Sequence, residues 1–373
     1  MKCPILTSPS PRMTAIIKAV GIGCNLKCDY CFFNHSEQSH REVMSYETLE
    51  IFTTEYLNLF DGNIQFIWHG GEPLLAGINF YQDAINIQKS KRREKHKIQN
   101  LIQTNGTLIT NEWADFFKAN DFKVGISLDG IAKCHNRFRR NNAGLESFDK
   151  VIKSIEILRS YGVEPSVIQT IPKSSLEYSK ENFIFLTETL KLKKIGLNVF
   201  NDAENLNSAM INESLSNDDY FNLYKNYFDF WLEKDDPDLV IREIDSLMYG
   251  VLGKCSNCCT NSGTCTSYMT VNWDGTVIPA CKRLLSVSSD IGKNIKTEHL
   301  VDILNNPKRI EFALKVNTLP DDCKTCEWLP ACYNGCTSHR IGGVEGKYAY
   351  CEGQKRVFSY FKQKLETIES NNK

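Results

Sequence analysis

Three cysteines, Cys24, Cys28 and Cys31, fall within eight residues, directly after an apolar stretch over 14–21. No disulfide pairing uses three thiols this close together. An iron–sulfur or soft-metal site does, because thiolates are the ligands such centres need. Three ligands on a four-iron cube leave one iron open, and an open iron can bind and activate a small molecule. The chain carries fifteen cysteines in all. Cys134 stands alone, whereas ten crowd the last third: Cys255, Cys258, Cys259, Cys265, Cys281, Cys323, Cys326, Cys332, Cys336 and Cys351. In a reducing compartment such usage points to metal or redox chemistry rather than to structural disulfides.

With 373 residues, one large domain plus a smaller one is the natural expectation. The shift in cysteine density puts the boundary near residue 240. We divide the chain into an irregular, proline-containing lead-in (1–12), a main unit (13–240), a cysteine-rich unit (250–360) and the end of a terminal helix with its tail (361–373). The net charge of −1 supplies no basic field for nucleic acid or a membrane surface. No stretch approaches the roughly 20 apolar residues of a membrane span. The first residues lack the charged n-region and apolar run of a signal peptide. The expected location is cytoplasmic.

From residue 13 to about 200, strand-like runs alternate with helical patterns. Strands are expected over 15–20, 64–68, 97–103, 122–128, 164–170 and 194–200. Helices are expected over 45–60, 80–90, 111–119, 147–161 and 175–192. Six β-then-α units imply parallel strands with right-handed crossovers, in an open doubly wound sheet or a partial barrel. In either case ligands bind at the carboxyl ends of the strands. The unusual motifs fall there: the three cysteines after the first strand, Gly70-Gly71-Glu72-Pro73 after the second, Thr104-Asn105 after the third and Ser127-Leu128-Asp129-Gly130 at the end of the fourth. An aromatic-rich helix over 219–232 reads as core packing. Beyond 240 the sequence predicts little regular structure: a small hairpin over 269–279, a helix over 301–316 and a terminal helix over 357–370.

The spacing Cys24-x3-Cys28-x2-Cys31, with Tyr30 before the last cysteine, resembles the cluster motif of the radical S-adenosylmethionine (SAM) enzymes. A zinc site with a distant fourth ligand is the competing reading of the three thiols. The Gly70–Pro73 loop resembles the family loop that holds the SAM amino group; two glycines allow close backbone approach, and Glu72 can receive a cation. The resemblance implies that Tyr30 presents its backbone to the adenine and that Ser127 and Arg139 hold the methionine or ribose part of SAM. It also implies that Thr104 and Asn105 line the pocket. The C-terminal cysteines resemble the SPASM extension, which holds two further four-iron clusters. By that resemblance auxiliary cluster I takes Cys259, Cys265, Cys281 and Cys336, with Cys255 and Cys258 as rivals for the first ligand. Auxiliary cluster II takes Cys323, Cys326, Cys332 and Cys351. The implied fold is α/β, a partial (β/α)6 TIM-like barrel with a small cysteine-rich extension. The implied cofactors are SAM and three [4Fe-4S] clusters.

The family cleaves SAM to a 5′-deoxyadenosyl radical that abstracts hydrogen from an unactivated C–H bond, and it acts mainly on peptides and proteins. Anaerobic sulfatase maturases resemble this chain in length and layout, but they place an acidic base directly after the third ligand of auxiliary cluster I. Here that position is Lys282, a poor substitute near neutral pH. The expectation is therefore a maturase that installs a crosslink in a ribosomally made precursor peptide, joining an aromatic ring carbon to a β-carbon as a three-residue cyclophane. Formylglycine formation in a sulfatase and thioether formation are the alternatives. The implied partners are the precursor peptide, a one-electron donor such as flavodoxin or ferredoxin, and a separate leader-binding protein, since no room for a leader-binding domain precedes Ala15. A non-catalytic iron–sulfur carrier would not need the Gly70–Pro73 loop.

Overall fold

The computed structural model describes residues 13–31, 42–201, 210–256, 258–281, 284 and 291–371. Six parallel strands form its centre: β1 (Thr14–Lys18), β2 (Gly62–Trp68), β3 (His96–Thr104), β4 (Lys123–Ser127), β5 (Ser166–Ile171) and β6 (Lys194–Val199). Beyond β6 a two-residue strand, β7 (Val240–Ile241), continues the parallel order. At the other edge β8 (Tyr268–Asn272) pairs parallel to β1. It is followed antiparallel by β9 (Thr276–Ile278) and β10 (Lys293–Asn294), so the ten strands make one mixed, unclosed sheet. The hairpin expected over 269–279 thus exists as β8–β9, but it is not a separate module. Its first strand extends the barrel wall.

The two faces of this wall differ in chemistry. In a parallel pair, register partners point to the same face, and side chains alternate along each strand. On one face lie Ala15, Ile17, Phe66, Trp68, Ile102, Val124, Ile126, Val167, Ile195, Leu197, Met269 and Val271, all buried in the main core under the helices. The opposite, lumen face is mostly polar. Gln65 Nε2 donates to Gln99 Oε1 (3.0 Å), Gln103 Nε2 to Ser127 Oγ (3.1 Å) and Arg242 Nη2 to Asn198 Oδ1 (3.1 Å). Lys18 of β1 shares that face with Asn272 of β8.

Helix Tyr46–Leu59 begins at Ser45, whose Oγ accepts the Thr48 amide at 3.2 Å, and buries Leu49, Phe52, Tyr56 and Leu57. Helices Ile78–Lys91, Asn111–Ala119 and Phe148–Ser160 follow the expected order. The single helix expected over 175–192 is broken into a 3-10 turn (Lys173–Tyr178), a helix (Ser179–Ile184) and a π turn (Phe185–Thr189). There Asn182 Oδ1 accepts the Ile131 amide at 2.9 Å, seating the segment against Gly130. The helix expected over 301–316 divides into Leu300–Leu304 and Pro307–Asn317. Pro307 cannot donate to a preceding turn, and Asn306 caps the new one through the Lys308 amide at 2.9 Å.

Helices Ala132–Phe138 and Arg242–Val251 were not expected. The aromatic helix Asn217–Lys234 does bury Tyr220, Tyr224, Tyr227 and Phe228. Much of its partner surface is the terminal helix Cys351–Asn371, where the Phe228 and Phe361 rings stack at 3.8 Å. The lead-in 1–12 and Lys282 lie outside the described residues. Among the described residues no helix is long and apolar enough to cross a membrane.

Candidate functional site

The described cysteines form no disulfide with one another. The loop carrying Cys24, Cys28 and Cys31 leaves the carboxyl end of β1 and docks on the segment after helix Ala132–Phe138. Lys27 N donates to Arg140 O (2.7 Å), Asp29 N to Phe138 O (3.0 Å), and Leu26 pairs with Asn141. Asn25 ties the same loop to the end of β3: Asn105 Nδ2 donates to Asn25 Oδ1 (2.8 Å), and Asn25 Nδ2 donates to Thr107 Oγ1 (2.8 Å). Cys24 Sγ receives the Leu26 amide at 3.4 Å and faces Asn105 Nδ2 at 3.7 Å. Burial pushes the Cys24 thiol up to about 11 and the Cys28 thiol up to about 12, and the three sulfurs repel one another's charge. These thiols stay protonated when free, so loading a centre here must release protons.

The Gly70–Gly71 loop packs directly on this segment. A Cβ at Gly71 (φ +51°) would stand 2.1 Å from the Gly23 carbonyl oxygen, and one at Gly70 (φ +111°) 2.5 Å from Lys18 Cγ. Only glycine allows that approach. Glu72 N donates to Gly23 O at 2.8 Å. The Glu72 carboxylate turns inward and is fully buried. Its Oε1 accepts Thr104 Oγ1 (2.7 Å) and Leu74 N (3.0 Å), and its Oε2 accepts Asn105 N (2.7 Å). Burial raises Glu72 to about 7 against those three donors. Thr104 and Asn105 therefore brace Glu72 and Cys24, and the Glu72 carboxylate is already engaged by three protein donors.

Tyr30, Asp129 and Arg139 form a buried latch that the sequence did not assign. Arg139 donates Nε (2.9 Å) and Nη2 (3.2 Å) to Asp129, whose Oδ1 also accepts Thr170 N at 2.9 Å. The Tyr30 hydroxyl donates to Asp129 Oδ2, and the Arg139 guanidinium lies 5.2 Å from the Tyr30 ring centroid. The cysteine loop is thus fastened to the ends of β4 and β5. Ser127 lies on the lumen face, held by Gln103. The visible signal for Asp129 was its place at a strand end. For Lys18, 3% exposed in the run Ala-Ile-Ile-Lys-Ala-Val, it was one cation among apolar neighbours.

The later thiols gather into two groups. Cys259 acts electrostatically on Cys265 and Cys281, and Cys265 on Cys281 and Cys336. Cys323 acts on Cys326, and Cys332 on Cys351 and Cys323. Cys255 is exposed, and Cys258 is buried beside Cys259. A zinc ion needs its ligands converging on one point at about 2.0–2.3 Å. Among the described residues no three Cys, His, Asp or Glu side chains converge so closely. Donor sets made only of thiols are the chemistry that four-iron clusters take.

Comparison with known proteins gives two family matches. Residues 19–174 match the radical SAM superfamily, and 258–327 match an iron–sulfur cluster-binding domain, SPASM. A cysteine-type anaerobic sulfatase-maturating enzyme of Clostridium perfringens (strain 13 / Type A) is 34% identical, over 97% of this chain and 100% of its own length. The serine-type enzyme of Bacteroides thetaiotaomicron is 31% identical, over 96% of this chain and 92% of its own. The chain belongs to the anaerobic sulfatase-maturating enzyme family. A solved structure of anSMEcpe with bound AdoMet and the Cp18Cys peptide superposes with a TM-score of 0.85 at 31% identity, covering 97% of this chain and 100% of that one. Streptococcus suis SuiB with S-adenosylmethionine shares the fold at 18% identity, with a TM-score of 0.64, covering 90% of this chain and 76% of that one.

The protein is thus a radical SAM/SPASM enzyme, with an α/β partial barrel and a SPASM extension, and its cofactors are SAM and [4Fe-4S] clusters, auxiliary ones included. The cyclophane expectation is overturned. It rested on the compact layout and on Lys282, whose charge was set against the sulfatase-maturase reading. Similarity that runs the full length of the curated relatives outweighs that single position.

Proposed function

We propose that this enzyme oxidises the side chain of a cysteine or serine in a target sulfatase to formylglycine. The observation that carries the reading is the match to both cysteine-type and serine-type maturases across nearly the whole chain. The reduced N-terminal cluster and SAM supply, when bound, a radical able to take hydrogen from an unactivated carbon.

The residues of this chain have definite tasks in that scheme. Cys24, Cys28 and Cys31 hold the SAM-binding cluster. Gly70 and Gly71 bring backbone carbonyls to the SAM amino group, with Glu72 fixing the loop from behind through Thr104 and Asn105. Tyr30 presents its backbone to the adenine while its hydroxyl holds Asp129. Ser127 reaches the methionine end from the lumen. Arg139 neutralises Asp129 and keeps the cysteine loop in place. Cys259, Cys265, Cys281 and Cys336 hold auxiliary cluster I, and Cys323, Cys326, Cys332 and Cys351 hold auxiliary cluster II. The polar side chains of the lumen face supply hydrogen-bond partners that an extended peptide backbone needs once water is excluded. An external one-electron donor of the flavodoxin or ferredoxin type starts each cycle. The whole reaction takes place in the cytoplasm.

The test is incubation of the reduced, cluster-loaded protein with SAM and short sulfatase peptides presenting cysteine or serine at the modified position. The expected products are 5′-deoxyadenosine and a peptide aldehyde that an aldehyde-specific hydrazide traps. Production of 5′-deoxyadenosine without any trapped aldehyde from either peptide would sink the proposal.

A further inference from the structure

The rung of the sheet that holds Ser127 also holds a fixed cation. Ser127 of β4 pairs with Ile168 of β5, and Ile168 pairs with Gly196 of β6. Neighbouring strands lie about 4.8 Å apart, so Gly196 stands roughly 10 Å from Ser127 across the lumen face. Gly196 offers no side chain there, and the Arg242 guanidinium takes that place. A Cβ at Gly196 would lie 3.1 Å from Arg242 Cζ, 3.2 Å from Nη2 and 3.3 Å from Nη1. Near-equal distances to three of its atoms lay the flat group across the strand rather than end-on to it.

The orientation is set from behind. Arg242 Nε donates to Glu243 Oε1 at 2.7 Å, and Nη2 donates to the same oxygen and to Asn198 Oδ1, the latter at 3.1 Å. Glu243 is buried, and its Oε2 accepts Leu197 N at 2.6 Å, which stops the carboxylate from swinging away. Asn198 is the register partner of Thr170, whose amide donates to Asp129 at 2.9 Å. The bonds from Arg242 to the described residues all use Nε and Nη2. A guanidinium whose whole task was to fasten helix Arg242–Val251 to β6 would be covered once those bonds were made. This side chain is 42% exposed.

We propose that Arg242 is a substrate-binding residue: its Nη1 edge donates a hydrogen bond to a main-chain carbonyl oxygen of the target peptide. This rests on the reading that the substrate is a peptide segment lying along the lumen face. Glu243 already balances the guanidinium charge, so a neutral carbonyl is a better match than a second carboxylate. That second carboxylate would bring one uncompensated negative charge into the lumen. A carbonyl contact reads no side chain, so one anchor serves a cysteine and a serine target alike. Because the guanidinium is oriented beforehand, little side-chain freedom is lost when the peptide binds.

The experiment measures, by fluorescence anisotropy, binding of a labelled cysteine-containing sulfatase peptide to the cluster-loaded full chain with SAM present. The peptide is amidated at its C-terminus and any acidic side chain is replaced by its amide, so only carbonyls can accept. Arg242→Met should weaken the peptide Kd at least about tenfold, as expected for one hydrogen bond from a charged donor. SAM affinity and iron per chain should stay at parental values. In turnover the loss should appear in KM, with kcat nearly unchanged, and Arg242→Lys should recover part of it. Gly196→Ala keeps every charge but presses a methyl group onto the guanidinium, and it should weaken peptide binding by a smaller factor. Parental peptide affinity in Arg242→Met would overturn the proposal, as would parental affinity in Gly196→Ala if Arg242→Met does not fold. So would a variant that loses SAM and peptide affinity equally. If the parent enzyme binds neither the cysteine nor the serine peptide, the functional reading falls and this proposal falls with it.

Discussion

Asp129→Asn should be among the most damaging conservative changes in the protein. The Asp129 carboxylate is 1% exposed and accepts from Arg139 twice, from the Thr170 amide and from the Tyr30 hydroxyl. Asparagine keeps the shape but removes the charge, and it points an NH2 group at one of those donors. The guanidinium of Arg139 then stays buried without its counter-ion. Removing one partner of a buried pair costs about 3–5 kcal/mol. At an unfolding entropy of roughly 2.1 cal/mol/K per residue, a chain of 373 residues converts this to a Tm loss of about 4–6 °C. Because Tyr30 sits between two cluster cysteines, iron bound by Cys24, Cys28 and Cys31 should fall as well, while auxiliary iron persists. Calorimetry with iron counting reads both effects. The double variant Asp129→Asn/Arg139→Met should recover much of the Tm, since it removes the orphaned charge. A single variant within about 1 °C of the parent, with all clusters loaded, would refute the latch.

Other consequences are equally direct. Gly71→Ala forces a side chain into positive φ and onto the Gly23 carbonyl; SAM affinity, read by equilibrium dialysis, should weaken by at least about tenfold. For Glu72, burial raises the folded-state value from the ordinary 4.5 to about 7. The stability it confers is therefore complete below the ordinary value and lost as pH rises through 7, a change of roughly 3 kcal/mol. Glu72→Gln abolishes that dependence, so its deficit in urea midpoint should shrink between about pH 5 and pH 8; a deficit constant across that range would contradict the buried-carboxylate account. Phe361→Ala empties a fully buried site stacked on Phe228 and should cost about 3–5 kcal/mol in urea unfolding.

The six central strands were legible because several are short runs rich in Ile, Val and Phe, and their loops carry the cofactor motifs. The lumen face was not. Gln65, Gln99, Gln103 and Asn198 read as interruptions of an apolar run until the register puts them on one surface. The pairing of β8 with β1 joins residues about 250 apart and leaves no local pattern. Helix Arg242–Val251 follows a two-residue strand with no side-chain cap to announce it. The thiol groupings followed from spacing and from the resemblance. Asp129 was visible only as part of a strand-end motif, since its value depends on Arg139 and Tyr30 arriving from separate loops. The product was misread because Lys282 was given more weight than a similarity that runs along nearly the whole chain.

The decisive measurement is transfer of label. A sulfatase peptide carrying two deuteriums on the β-carbon of the target cysteine is mixed with reduced enzyme and SAM. The account predicts one deuterium in the 5′-deoxyadenosine, together with a deuterated aldehyde on the peptide. Unlabelled 5′-deoxyadenosine, with the peptide recovered unchanged, would contradict it.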